Sequence, residues 1–148
     1  MYDPLDEVLY GGELAKKYLE DAQEAYRRED WRGSVASAQL ATENAAKAII
    51  AIYRTPSWSH DPSDKLYEIT SELPHDIRSI VRELAKIAHT LAPEHARTTY
   101  GDPIKRLTPW QLYNKEDSER AINLARRAVE IMEEVLKRMG IRKTQDKQ

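Results

Sequence analysis

The chain has 148 residues, 32% of them charged and 41% hydrophobic, with a formal net charge of −2. That length suits one domain with one real core, and the near-balanced charge removes any global electrostatic case for DNA or an anionic membrane, leaving only a local basic patch. Cysteine is absent, which excludes disulfides, thiolate nucleophiles and Cys-ligated metals and fits a reducing, cytoplasmic setting.

The opening MYDPLDEVLY has acidic rather than basic character and no apolar stretch, so it does not read as a secretory signal. Residues Pro4 to Tyr10 look helical, but Gly11-Gly12 weakens continuity into the next segment. From about Leu14 to Arg28, apolar positions Leu14, Ala15, Tyr18, Leu19, Ala22, Ala25 and Tyr26 follow the helical i, i+3, i+4 rule. Asp30 is the natural N-cap of a second helix running to about Arg54, with Val35, Ala38, Thr42, Ala45, Ile49 and Ile52 as its buried stripe.

After the loop TPSWSHDPSD, Ser63 or Asp64 can cap a short helix from Lys65 to Glu72. Pro74 falls where the first turn of the next helix tolerates it, and Ile77, Ile80, Val81, Leu84, Ile87, Ala88 and Leu91 make its apolar face up to Pro93. The segment from Glu94 to Tyr113, interrupted by Gly101, Pro103 and Pro109, reads as irregular, and a loop of that length is often functional. Asn114, with Asp117 three residues on, caps a last helix that Gly140 stops. Residues 140–148 read as a frayed tail behind a single domain over residues 1–139. The expected fold is all-α: an antiparallel bundle of four long helices plus one short helix. No apolar run approaches the roughly 20 residues a membrane span requires.

Several groups are candidates for chemistry. Arg97, Tyr100 and Asp102, with Lys105 and Arg106 nearby, combine a guanidinium that can grip a phosphate with a ring that can stack on a base. The structural alternative is that Arg97 pairs with Asp102 to stiffen the turn while Tyr100 caps the core. Arg78, Arg82, Lys86 and His89 share one helical flank, as a solvated face or as a ridge that tracks phosphates. Glu43 and Lys47 are spaced for an ion pair within the alanine-rich helix, and with Asn44 they also suit a cleft shared with the Arg97 loop. Among His60, His75, His89 and His95 no pair has a helical metal-binding spacing, so neither a metal nor another cofactor is expected. His60, between Ser59 and Asp61, suits a turn hydrogen bond.

Three stretches together resemble the HEPN family (higher eukaryote and prokaryote nucleotide-binding domains): LAKKYLEDAQEAYRREDWRGSVASAQLATENAAKAII, ARTTYGDP, and WQLYNKEDSERAINLARRAVEIMEEV, with His60 ahead of Leu66 between the first two. The order is similar to archaeal stand-alone members, and the first two helices are also similar to the related PaREP-type domains. The resemblance implies a helical bundle that dimerises. It also implies either ribonuclease activity, or a non-catalytic role binding a nucleotide or short RNA beside a small nucleotidyltransferase in a two-gene, toxin–antitoxin-like system. Family ribonucleases carry Arg, four to six residues, then His. Here Arg97 is followed after four residues by Asp102, and a carboxylate is a poor proton donor near neutral pH. The expectation is therefore a non-catalytic module in which Arg97, Tyr100 and Asp102, with Lys47 and Glu43, hold the ligand. The alternative is a metal-independent endoribonuclease using Arg97 or Arg82 on the phosphate and His89 or His95 as acid and base. Arg82 and His89 also fit the formal spacing, but on a regular helix they stand roughly 10 Å apart along the axis.

Overall fold

The alanine-rich segment becomes the hub of the molecule. In the computed structural model, which describes residues 4–142, α1 spans Pro4–Arg27 and α2 spans Trp31–Ile50. They are followed by α3 (Ser63–Ile69), α4 (Arg78–Leu91), α5 (Glu94–Tyr100), α6 (Pro109–Leu112) and α7 (Lys115–Arg138). Short 3₁₀ turns at Thr70–Glu72 and His75–Ile77 join α3 to α4. Helix α2 packs against all six others, most extensively against α1 and α7. Ala38, Ala41, Ala45, Ala46 and Ala48 are fully buried along it, and their small side chains let neighbouring backbones approach closely.

The fold is all-α, as expected, with α1, α2, α4 and α7 as the long helices and α3 as the expected short one. Among the described residues no strand forms; Asp102 and Leu107 make only an isolated bridge. No helix among them is long and apolar enough to cross a membrane. The core runs along α2, with Ile49, Ile50, Leu66, Ile69, Leu73, Leu84, Ile131 and Met132 as its largest enclosed side chains.

The expected caps of α2 and α7 are in place, whereas α3 starts after Pro62 with no side-chain cap from Ser63 or Asp64. The Asp30 carboxylate accepts from the Gly33 N–H at 2.9 Å, and Asn114 and Asp117 form a reciprocal capping box at 2.9 and 3.0 Å. Two further expectations are corrected. Gly11-Gly12 does not break the first helix: α1 continues through both. At Gly11 a Cβ would stand 3.3 Å from the Cβ of Ala48, so this glycine sits where α1 presses on α2. The segment from Glu94 to Tyr113 is not irregular; it contains α5 and α6. Helix α6 starts with a Thr108–Gln111 capping box and Pro109 in its first turn, a legible signature in Thr-Pro-Trp-Gln. Of residues 140–148, expected as a frayed tail, 143–148 lie outside the described residues.

Candidate functional site

On α2, Gln39, Glu43 and Lys47 follow one another at i, i+4 and i+8, so their side chains share one face of the alanine-rich helix. All three are tied together. Glu43 Oε1 accepts from Gln39 Nε2 at 3.0 Å, and Glu43 Oε2 accepts from Lys47 Nζ at 2.9 Å. Gln39 and Glu43 are both buried. Two histidines close over this ladder, one from the loop after α2 and one from the start of α5. His60 Nδ1 lies 3.1 Å from Glu43 Oε1, and His95 Nδ1 lies 3.2 Å from Gln39 Oε1. The two imidazole rings stack with centroids 3.5 Å apart and 19° between their planes.

The hydrogen bonds fix the proton positions. Gln39 must turn its NH₂ to the carboxylate, so its oxygen faces His95, and His95 Nδ1 must carry a hydrogen to donate to it. His60 Nδ1 likewise donates to Glu43. Burial pushes the Glu43 carboxyl up, but the hydrogen bonds from Gln39, Lys47 and His60 outweigh it and hold the group below its ordinary value. Glu43 is thus an ionised carboxylate inside the fold, with its charge answered by donors on every side. Next to His60, Asp61 Oδ2 lies 2.8 Å from His89 Nδ1, while Asp61 Oδ1 accepts from the Ser63 N–H at 3.0 Å. Burial raises the Asp61 carboxyl, and the bonds from Ser63 and His89 lower it further than that, for a net downward shift. His60, His89 and His95 therefore belong to one polar neighbourhood built from α2, the 51–62 loop, α4 and α5.

Arg97 lies elsewhere. Two residues beyond His95 on α5, it turns to the opposite side of that helix, toward α6 and α7. Its Nε stands 3.7 Å from Glu94 Oε1, an oxygen that also accepts from the Tyr113 hydroxyl, and its side chain remains 44% exposed. Burial, then the Glu94 carboxylate, pushes the Tyr113 hydroxyl strongly up, keeping it a donor. Arg97, Glu94, Tyr113, Asp117 and Arg120 rim a cleft of about 280 Å³. Glu43 and Lys47 do not line it, so α5 separates the two groups of residues that the sequence suggested would share a cleft.

Asp102 is occupied by its own turn. Its Oδ1 accepts from the Ile104 and Lys105 N–H groups at 3.1 Å each, and its backbone pairs in both directions with Leu107 at 2.9 and 3.0 Å. The turn is therefore stiffened by Asp102 alone; the Arg97–Asp102 pair does not form. Nor does Tyr100 cap the core, because it is 75% exposed. Lys105 and Arg106 are exposed beside it. Trp110 is 71% exposed, with the Arg32 guanidinium 5.4 Å from its ring centroid.

The basic flank of α4 is uneven. Arg78 is spent on backbone: it donates to the Leu73 and Ser71 carbonyls at 2.9 and 3.0 Å. Arg82 and Lys86 are exposed, and His89 faces Asp61. The role of Gln39 as connector, and the meeting of His60 with His95, had no sequence signal beyond the i, i+4 spacing of Gln39 to Glu43.

Among solved structures, the crystal structure of TT1696 from Thermus thermophilus superposes with a TM-score of 0.68 at 23% identity, over 87% of this chain and 98% of that one, a likeness of fold. No curated protein matches the chain. The HEPN domain family model matches residues 13–135, from the middle of α1 to near the end of α7, and takes in both the α2 ladder and the α5–α6 surface. The chain belongs to the HEPN domain family.

Proposed function

We propose that this HEPN module binds a short single-stranded RNA segment or a nucleotide on the surface made by α5, the 102–107 turn and α6, and does not cut it. One observation carries the reading. Tyr100 and Trp110 hold their rings in solvent, at 75% and 71% exposure, on the same stretch of chain as the exposed cations Arg97, Lys105 and Arg106, and the Arg32 guanidinium lies 5.4 Å from the Trp110 ring. Exposed rings among cations are what a sequence-tolerant, phosphate-bearing ligand requires: stacking for the base, charge for the backbone. Asp102, the carboxylate of the 102–107 turn, is engaged by that turn and follows Arg97 at the spacing where the family resemblance implies the ribonucleases' histidine. In this reading Lys47 and Glu43 hold the inner seam and steady α5 through His95 rather than touching the ligand. The chain acts as a homodimer beside a small nucleotidyltransferase, a partnership that family membership supports. Titration of a fluorescein-labelled RNA oligomer, and calorimetry with common nucleotides, test it. Binding that falls at least tenfold in Arg97→Ala and Tyr100→Ala is expected; no binding to either ligand class overturns the reading.

A second reading has its own support in the His60–His95 stack. Two imidazoles in contact, each anchored through Nδ1–H, are the groups an acid–base cleavage of RNA through its 2′-OH would need, without a metal. RNA cleavage in EDTA that His95→Ala abolishes would favour this reading over the first.

A further inference from the structure

We infer that Glu43, His60 and His95 form a binding site for one divalent first-row transition-metal ion of the zinc type. The inference is independent of the RNA-binding reading. One donor atom from each residue lies within 4.8 Å of the other two, and the three come from α2, the loop after it and the start of α5. An ionised carboxylate with two imidazoles is a mixed oxygen–nitrogen set suited to zinc and its neighbours rather than to magnesium or calcium. Two ligands on one tetrahedral zinc stand about 3.3 Å apart. Glu43 Oε1 and His60 Nδ1 are 3.1 Å apart, close to that separation.

The surroundings are those of a supported site. Lys47 holds the second carboxylate oxygen at 2.9 Å, and Gln39 hydrogen-bonds both Glu43 and His95, so the buried carboxylate and the half-buried His95 are oriented by neighbours that are not ligands. His60 has a half-exposed side chain, which gives the ion a route in and leaves the remaining positions to water. The stacked rings have to splay so that the lone pairs converge, and the loop position of His60 allows that. With the ion on His60 Nδ1, the neutral ring carries its single hydrogen on Nε2 instead.

The test uses tag-free, EDTA-stripped full-length protein, titrated calorimetrically with Zn²⁺ and followed by visible absorption with Co²⁺. One ion per chain is expected, with cobalt bands of the intensity that four or five ligands give. His60→Ala and His95→Ala each lower affinity by about 10–100-fold, while His75→Ala and His89→Ala leave it unchanged. Glu43→Gln, which keeps an acceptor oxygen in the ladder, also lowers it. Thermal melts of each variant separate loss of the site from loss of the fold. Absence of saturable binding, or binding that persists in both His60→Ala and His95→Ala, or that is lost in His89→Ala instead, overturns the inference.

Discussion

His60, on the loop after α2, lies flat against His95 at the start of α5, with ring centroids 3.5 Å apart. Each ring is tethered by its Nδ1 to a different residue of α2, so the loop and α5 are joined through one buried amide and one buried carboxylate. The carboxylates of this seam set how its stability answers to acid.

Glu43 and Asp61 have carboxyls held below their ordinary values of 4.5 and 3.8. Between the unfolded and folded values the unfolded chain binds more protons, so stability rises with pH there. The contribution of these groups is complete above about pH 5 and disappears as acid takes the pH below the folded values. Urea unfolding at a series of pH values between about 3 and 7 should show this loss, and Glu43→Gln should flatten the acid limb while lowering stability at neutral pH.

The two glycines inside α1 should respond differently to alanine. A Cβ at Gly12 would meet Met132 and Leu136 at 3.7 Å, ordinary contact. Gly12→Ala should therefore gain most of the helix-propensity difference, about 0.8–1 kcal/mol, and raise the melting temperature by about 2–4 °C. At Gly11 the nearest atom is the Ala48 Cβ at 3.3 Å, with its Cα at 3.4 Å. Gly11→Ala must push α1 off α2, so its gain should be smaller or reversed. Paired calorimetric melts decide; equal gains for both variants would show that the α1–α2 contact is looser than described.

Gly101 has φ +72°, and a Cβ there would lie 2.2 Å from the Leu107 carbonyl oxygen. Gly101→Ala should open the Asp102–Leu107 bridge at a cost of about 1–3 kcal/mol, visible as faster amide exchange at Asp102 and Leu107. RNA affinity should fall with it, because the turn fixes Tyr100 relative to Lys105 and Arg106.

Asp102→Asn separates charge from shape. The amide oxygen can still accept from Ile104 and Lys105, so the turn survives while a negative charge leaves the proposed RNA surface. Affinity for RNA should rise about two- to threefold, the effect of one charge roughly 6–10 Å away in a water-like dielectric. It should also weaken steeply with salt. Unchanged affinity in this variant would place the ligand elsewhere.

The sequence reads well where one helix carries its own signal. Asp30 and Asn114 announced their helices, and the stripe from Val35 to Ile49 announced the buried face of α2. Helices α5 and α6, with 7 and 4 residues, are too short for a 3.6-residue period to emerge, and only the capping pattern at Thr108–Gln111 betrayed the second. The Glu43–Lys47 pair was legible because both partners sit one turn apart. The meeting of His60, His95 and Glu43 was not, since it depends on how a loop and a short helix fold back over α2. The same missing helix concealed that His95 and Arg97 face opposite ways.

Because α2 touches every other helix, none of its turns can open while the remainder stays covered. Amide protons from Ala41 to Ile49 should therefore trade with deuterium at one shared slow rate, that of complete opening of the chain. Those of α6, which rests on few neighbours, should exchange orders of magnitude sooner.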